Sequence, residues 1–575
     1  MTTSLTCFGA VGEIGGNKIL LEDGERRVFF DFGKSFGRYG SFFDGVFIKE
    51  RTSRGLLDPL ALGLVPPLRG LLREDLLPIL QSEQLAITEV PPTGRQKKAR
   101  TLVEVRPQTI EAFWGYFRNR SPQAYRDLRR EHGLPVDLIL LSHAHQDHIS
   151  DLEFVSPAIP ACSSRMTAFI SKVLLDTGQA GRSGAPFANP RVPDAQGRLQ
   201  VDKEHGYLGR PWTFLEAEPE GEITEDPLDT AGSFWSTTPG KRLEPRPAAP
   251  PARFRLRHWP VDHSLLGAVG WAVETEAGWV GYTGDLRFHG RHGADTWRFA
   301  DDLAALEPAA LLCEGTRLTT PTSTTESEVF ENSLKVVRVA GDTLVVADFA
   351  PRNVERLLSF LQIAAETKRR LLIQPKDAYL LRAMHLADPS TPDPMEHPEI
   401  GLYDDPKSRE QPWEEKVRRR YRSRTVSPEE VARTAGDYLL AFSLTDVADL
   451  LDLEMLMGGR PGGIYIFSNS PAYDDEQKVD LVRLWNWTQH LGMQMIGLRP
   501  NAHAASGEVT EVVADPGYHA SGHAGSDELI EFVRRVRPKT LIPIHTETPE
   551  GWGDPLAGTG IRIVLPEYAT PIALP

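Results

Sequence analysis

The segment Val136-Asp137-Leu138-Ile139-Leu140-Leu141-Ser142-His143-Ala144-His145-Gln146-Asp147-His148 decides how the rest of the chain is read. Its first half is an apolar run of the kind that forms a buried strand, with polar residues where the strand would end. Its second half places three imidazoles and a carboxylate within six residues. Neutral imidazole and carboxylate are donors that zinc takes readily. On a loop this tight, His143 and His145 can face one ion while Asp147 and His148 face a second. The bland alternative is a chance surface cluster, and the strand directly before it argues against that.

The same motif of an apolar run ending in a chemical group recurs outward from this segment. Val28-Phe29-Phe30 ends at Asp31, Ala309 to Cys313 at Glu314, and Leu541 to Ile544 at His545, while Leu344-Val345-Val346 leads to Asp348. Buried strands with functional groups at their C-terminal ends produce this pattern. Between them, Val354, Leu357, Leu358 and Leu361 form a helical stripe, as do Leu529, Phe532, Val533 and Val536. Ser526 is placed to cap the second helix and Pro538 to stop it. Strands mixed with helices predict an α/β protein. Residues 45 to 108, rich in Leu and Pro, and 178 to 252, dense in Gly, Pro and charge, read as insertions, the second as loop or partly disordered chain.

With 575 residues the chain is too long for one core, and two or more domains are expected. Cys7, Cys162 and Cys313 lie far apart, which disfavours a disulfide framework and fits a reducing compartment. No basic lead with an apolar run opens the sequence, and no apolar stretch is long enough to span a bilayer, so a cytoplasmic protein without membrane contact is expected. The net charge of −15 argues against a broad nucleic-acid-coating surface. It does not exclude a nuclease, because two bound divalent cations would supply positive charge where a phosphate must sit. Three basic runs could line a path to them: Arg95 to Arg100, Lys368 to Arg370, and Lys416 to Arg424, the last with Tyr421 inside it being the best candidate. Solvated surface charge is the commoner reading of any single run.

Further blocks follow in order. They are Gly12-Glu13-Ile14-Gly15-Gly16-Asn17, Pro260-Val261-Asp262-His263-Ser264, Gly281-Tyr282-Thr283-Gly284-Asp285, His519-Ala520-Ser521-Gly522-His523-Ala524 and Pro543-Ile544-His545. With the HxHxDH segment, they make the chain resemble the metallo-β-lactamase superfamily. Within it the resemblance is to the β-CASP branch, which processes nucleic acids, and especially to the ribonuclease J family. Phe467-Ser468-Asn469-Ser470-Pro471 is similar to a strand-end loop of that family.

The resemblance implies an αββα sandwich interrupted by an α/β β-CASP domain: residues 1–315, an insert at 316–500, and a return at 501–575. It implies His143, His145, Asp147, His148, His263, Asp285 and His545 as ligands of two divalent ions, zinc or manganese, with Asp285 bridging. Asp31 would orient a ligating histidine. Glu314 and His523 would act with Asp147 in catalysis, His523 at the scissile phosphate, and Ser521 and His519 would hold a neighbouring phosphate. The implied activity is hydrolysis of phosphodiester bonds in single-stranded RNA; DNA-directed β-CASP enzymes tend to lack a histidine at the position of His545. The rivals are a DNA-directed nuclease, a small-molecule ester, lactone or thioester hydrolase, and a catalytically dead RNA-binding scaffold. The chain departs from the family pattern where Thr546-Glu547 follows His545, and no Gly- and Ser-rich substrate loop is recognisable near Gly436 to Thr445. Thirty residues follow His545, so the family's separate C-terminal domain is expected to be absent, which leaves homo-oligomerisation open.

Overall fold

The computed structural model describes residues 3–44, 47–90, 100–178, 184–238, 241–322, 324–350, 352–394, 396–405, 409–472 and 475–575. Side-chain alternation builds the first layers. In the strands Thr3–Cys7, Ile19–Asp23, Arg26–Phe30 and Leu138–Leu140, every second residue enters one shared core: Leu5, Cys7, Ile19, Leu21, Val28, Phe30, Leu138 and Leu140. That core is closed from the other side by Val269, Trp271, Val273, Val280, Tyr282, Leu312, Ile542 and Ile544, which belong to a second sheet. The alternate residues Leu20, Phe29 and Ile139 face outward onto a helix-bearing core. On the second sheet, Ala272, Leu311, Cys313 and Leu541 pack against Phe299, Leu303, Phe532 and Val536 of the helices Gly293–Ala304 and Ser526–Val536. The result is helix, sheet, sheet, helix: an eight-stranded and a six-stranded sheet face to face.

The second sheet shows how the chain is interrupted. Ala310–Glu314 and Thr540–Ile544 are parallel neighbours, with Glu314 opposite Ile544. Between these adjacent strands the chain builds a separate seven-stranded sheet, parallel throughout, that includes Val345–Asp348, Tyr438–Ala441 and Ile464–Phe467. Helices such as Val354–Glu366 and Asp475–His490 flank it, as a parallel sheet buried on both faces requires.

Several sequence expectations change. The stretch 178–252 is not simply loop where it is described. Pro211–Phe214 pairs with Ala161–Ser163 in the eight-stranded sheet, and Trp212, Phe234 and Trp235 are core residues. Leu56, Leu60, Leu68, Leu71 and Leu72 likewise join the core, so the Leu-rich stretch 45–108 is largely a packing element without helical period. Ser526 is the first helical residue of Ser526–Val536 and Gly525 takes the cap position, its N–H donating to Glu528 Oε2 at 3.1 Å.

Half of the best basic run is committed to ion pairs: Arg418 pairs with Asp404 and Glu410, Arg419 with Asp226 at 2.8 Å, and Arg420 with Asp229 at 2.9 Å, while Tyr421 is buried. Arg369 is also buried and donates to the carbonyls of Gly341, Thr343 and Tyr438. The run at Arg95 falls, except for Arg100, outside the described residues. Among the described residues, no helix is long and apolar enough to cross a membrane.

Candidate metal centre

The strands Arg26–Phe30 and Leu138–Leu140 run parallel, as do Gly278–Tyr282, Ala310–Glu314 and Thr540–Ile544. Their C-terminal ends deliver Asp31, the His143–His148 loop, Asp285, Glu314 and His545 to one place. Three donor groups result, each with ligand atoms within 4.8 Å of one another: His143, His145, His263 and Asp285; Asp147, His148, Asp285 and His545; and Asp285, Glu314 and His523. Asp285 belongs to all three. Its Oδ2 lies 3.5 Å from His143 Nε2, 3.2 Å from His148 Nε2 and 3.8 Å from His263 Nε2.

Hydrogen bonds on the far side of three of the rings fix which nitrogen faces inward. His263 Nδ1 lies 2.5 Å from the Gly522 carbonyl, which can only accept, so Nδ1 carries the proton and Nε2 presents a lone pair. His148 Nδ1 donates to Asp31 Oδ2 at 2.7 Å with the same consequence. Ser142 Oγ gives its proton to Asp31 Oδ2 at 2.6 Å and is left to accept from His143 Nδ1 at 3.0 Å. Asp31 also accepts from Ser142 N and from the Tyr282 hydroxyl, at 2.7 and 2.5 Å. It therefore orients two of the histidines, its backbone held in the left-handed region at φ 54°.

A divalent ion fits the donor set. His145 Nδ1 lies 3.0 Å from both His143 Nε2 and His263 Nε2, close to the edge of ~3.3 Å that a tetrahedral zinc site with ~2.0–2.1 Å bonds requires. His148 Nε2, Asp285 Oδ1 and both His545 nitrogens are buried with no hydrogen-bond partner among the described residues. His545 Nδ1 and Asp285 Oδ1 are 2.7 Å apart, and His545 Nε2 lies 3.3 Å from Asp147 Oδ2, yet none of these contacts has hydrogen-bond geometry. Buried polar atoms left this way are costly unless something else binds them.

The electrostatics agree. Burial pushes His143 and His263 well below the usual imidazole range, and burial with the Arg352 charge takes His145 down to about 3. Burial works against charge on His148 and His545 too, but their carboxylates overcome it. Asp285, Asp147 and Asp31 hold His148 well above its ordinary value, and Asp285 and Asp147 bring His545 up to about 10. The second donor group therefore demands positive charge, which a metal would supply while releasing protons.

The third group differs. Glu314 accepts from Leu286 N and Thr316 N at 2.8 and 3.2 Å and faces His523 Nδ1 at 3.1 Å, so its oxygens are committed to protein donors. Burial lowers the proton affinity of His523, but Glu314 and Asp285 together raise it above the ordinary value. His523 is the more open member of the pair, its side chain 17% exposed against 0% for Glu314. Ser521 Oγ accepts from His523 N at 3.1 Å, and so shapes the turn. His519 is held neutral by burial and by the Arg356 charge, its affinity pushed down to about 3, with Nδ1 lacking a partner among the described residues.

Gly15, in the glycine-rich opening, sits against the metal loop at φ 81°, and a Cβ there would lie 2.8 Å from the Asp147 side chain. Sequence reasoning missed Ser142, Tyr282 and Arg352. The first two adjoin recognised motifs, whereas Arg352 lies far off in the seven-stranded unit.

Comparison with known proteins fits this geometry. Residues 115–243, which contain the histidine-rich loop, match the metallo-beta-lactamase superfamily, and residues 517–550, which contain His519, His523 and His545, match the Zn-dependent metallo-hydrolase RNA specificity domain. The chain is therefore similar to metallo-β-lactamase domains and, over a longer stretch, to ribonuclease J proteins. It is 25% identical over 306 residues to ribonuclease J of Corynebacterium glutamicum, covering 51% of this chain and 36% of that one. It is 24% identical over 426 residues to ribonuclease J 1 of Streptococcus pyogenes, covering 72% and 58%. The chain thus spans about a third to three-fifths of the length of these relatives. A protein of unknown function from Enterococcus faecalis V583 shares its fold over the full length of both chains, with TM-score 0.60 and 17% identity.

Proposed function

We propose that the chain is a ribonuclease that hydrolyses phosphodiester bonds of single-stranded RNA with two divalent ions, zinc or manganese. The observation carrying this reading is Asp285, shared by two four-donor groups beside the His523–Glu314 pair. His143, His145, His263 and Asp285 would hold one ion, and Asp147, His148, Asp285 and His545 the other. When bound, such ions acidify a water and neutralise charge on phosphoryl oxygens. Glu314 holds the Nδ1 side of His523, which leaves the transferable proton on Nε2, and Glu314 stabilises the charged ring. A proton held there serves a departing 3′ oxygen. The segment 316–500, read as the inserted β-CASP unit, would cover the strand. The match of residues 517–550 to an RNA specificity domain and the chain's likeness to ribonuclease J proteins support RNA over a small ester.

The test is end-labelled RNA bearing a 5′-monophosphate or a 5′-triphosphate, incubated with metal-loaded protein and resolved by size. Mononucleotides from the monophosphate alone mean attack from the 5′ end, and discrete fragments from both mean internal cleavage. Intact RNA in both lanes refutes the proposal. A second reading, a lactone or thioester hydrolase, draws on the net charge of −15 and the ion pairs of Arg419 and Arg420 in the run at 416–424.

A further inference from the structure

Arg352 is a cation at the edge of the metal centre. It follows the strand Val345–Asp348 and precedes the helix Val354–Glu366. Its Nη1 is buried, with no hydrogen-bond partner and no ion pair among the described residues. Leaving a buried guanidinium nitrogen unmatched is costly, so a bound ligand is expected to meet it.

The residues just after Arg352 fix its location. Glu355 Oε2 accepts from Arg287 Nη2 at 2.5 Å, and Arg287 Nη1 donates to the Ser521 carbonyl at 3.2 Å, in the turn that carries His523. Arg356 donates to Glu326, at 3.0 Å, and to Ser468 Oγ at 2.6 Å, while Ser468 Oγ donates to the Tyr518 carbonyl at 2.6 Å. The start of this helix is therefore bolted to the segment 518–523. Arg352, one turn earlier, is carried at the seam between the seven-stranded unit and the metal centre. Its charge reaches the centre, where it acts on His145, and Asp147 acts on it in return.

We propose that Arg352 is a phosphate ligand, its guanidinium binding a non-bridging oxygen of the phosphodiester strand where that strand crosses the donor groups. The inference rests on the nucleic-acid reading above. It adds a contact supplied by the inserted unit, in whose run from Lys416 to Arg424 the residues Arg418, Arg419 and Arg420 are committed to ion pairs. Guanidinium suits the role because its planar fork matches phosphate oxygens and it stays charged when buried.

The experiment compares zinc-loaded wild type with Arg352→Gln and Arg352→Lys in three measurements: bound metal, calorimetric binding of inorganic phosphate, and cleavage of single-stranded RNA. Arg352→Gln is expected to keep its metal, to bind phosphate about tenfold to a hundredfold more weakly, and to lose RNA cleavage in similar proportion. Arg352→Lys is expected to recover part of both. Undiminished phosphate binding in Arg352→Gln overturns the proposal, as does phosphate failing to bind the wild type. Loss of metal in Arg352→Gln also overturns it, because the residue would then act through Asp147. Should wild type bind phosphate in an Arg352-dependent way yet leave RNA intact, the ligand assignment stands and the ribonuclease reading falls.

Discussion

Ser142 has a hydroxyl that donates to Asp31 and accepts from His143, and this one residue shows how the centre is oriented from behind. His523 is oriented likewise by Glu314, and its role can be separated from metal binding. His523→Ala is expected to lower kcat for RNA cleavage by about 10²–10⁴-fold with bound metal unchanged, measured by single-turnover kinetics beside metal analysis. A variant that keeps its metal and its rate would remove His523 from the chemistry. Gly15→Ala tests the support of the loop: the new Cβ would meet Asp147, and the backbone there is left-handed, so weakened metal binding is expected in a titration with zinc. Wild-type affinity would show that the loop shifts freely. At this scale much was legible in the sequence, because ligands must be particular residue types and His143 to His148 crowd four of them together. Asp31 and Glu314 were legible through the apolar strands before them. Arg352 was not, since a lone arginine just before a helix carries no local sign that it will lie near a site built from other parts of the chain.

Elements meet at Arg287, which is buried between Asp262 of the metal-bearing sandwich and Glu326 and Glu355 on the helices Glu326–Arg338 and Val354–Glu366. Three carboxylates around one guanidinium stay buried only while it is present. Arg287→Met is expected to destabilise the protein by about 3–5 kcal/mol in urea unfolding, because it strands charge rather than merely losing a bond. A change below ~1 kcal/mol would mean that water or protons replace the arginine.

Asp348 ends the interior strand Val345–Asp348, accepting from the Tyr465 hydroxyl at 2.9 Å, and burial pushes its carboxyl up to about 7. The unfolded chain ionises it near ~3.9, so between those values the folded state holds the extra proton. Its contribution is fully present below about 4 and is lost as pH rises through about 7. Wild type should therefore lose stability between pH 5 and pH 8 relative to Asp348→Asn, in paired urea titrations; parallel curves would contradict this. Apolar strands announced themselves in the sequence because burial on both faces leaves little choice of residue. The segment 178–252 did not. Its buried aromatics sit in a four-residue strand and a six-residue helix, too short to show a period, so Trp212, Phe234 and Trp235 carry no local sign of burial.

The whole molecule carries a net charge of −15, and Arg418, Arg419 and Arg420 of the run from Lys416 to Arg424 are committed to ion pairs. On the proposed function, long-range attraction for RNA is weak, and binding is expected to depend on the centre itself and a few contacts, the proposed one at Arg352 among them. With about two or three phosphate contacts, affinity for single-stranded RNA should fall only about tenfold between 50 and 200 mM salt. A much steeper fall, measured by fluorescence anisotropy, would reveal a broad basic surface. On the proposed function, the Asp285-linked donor groups hold metal and that metal cuts RNA. The decisive experiment measures bound zinc and cleavage of labelled single-stranded RNA together, for wild type, Asp147→Ala and Asp285→Asn. About two ions and cleavage are expected for wild type, with metal reduced and cleavage abolished in both folded variants. Cleavage at the wild-type rate by a metal-free variant would contradict that function, and so would metal-loaded wild type that leaves RNA whole while opening a lactone or thioester.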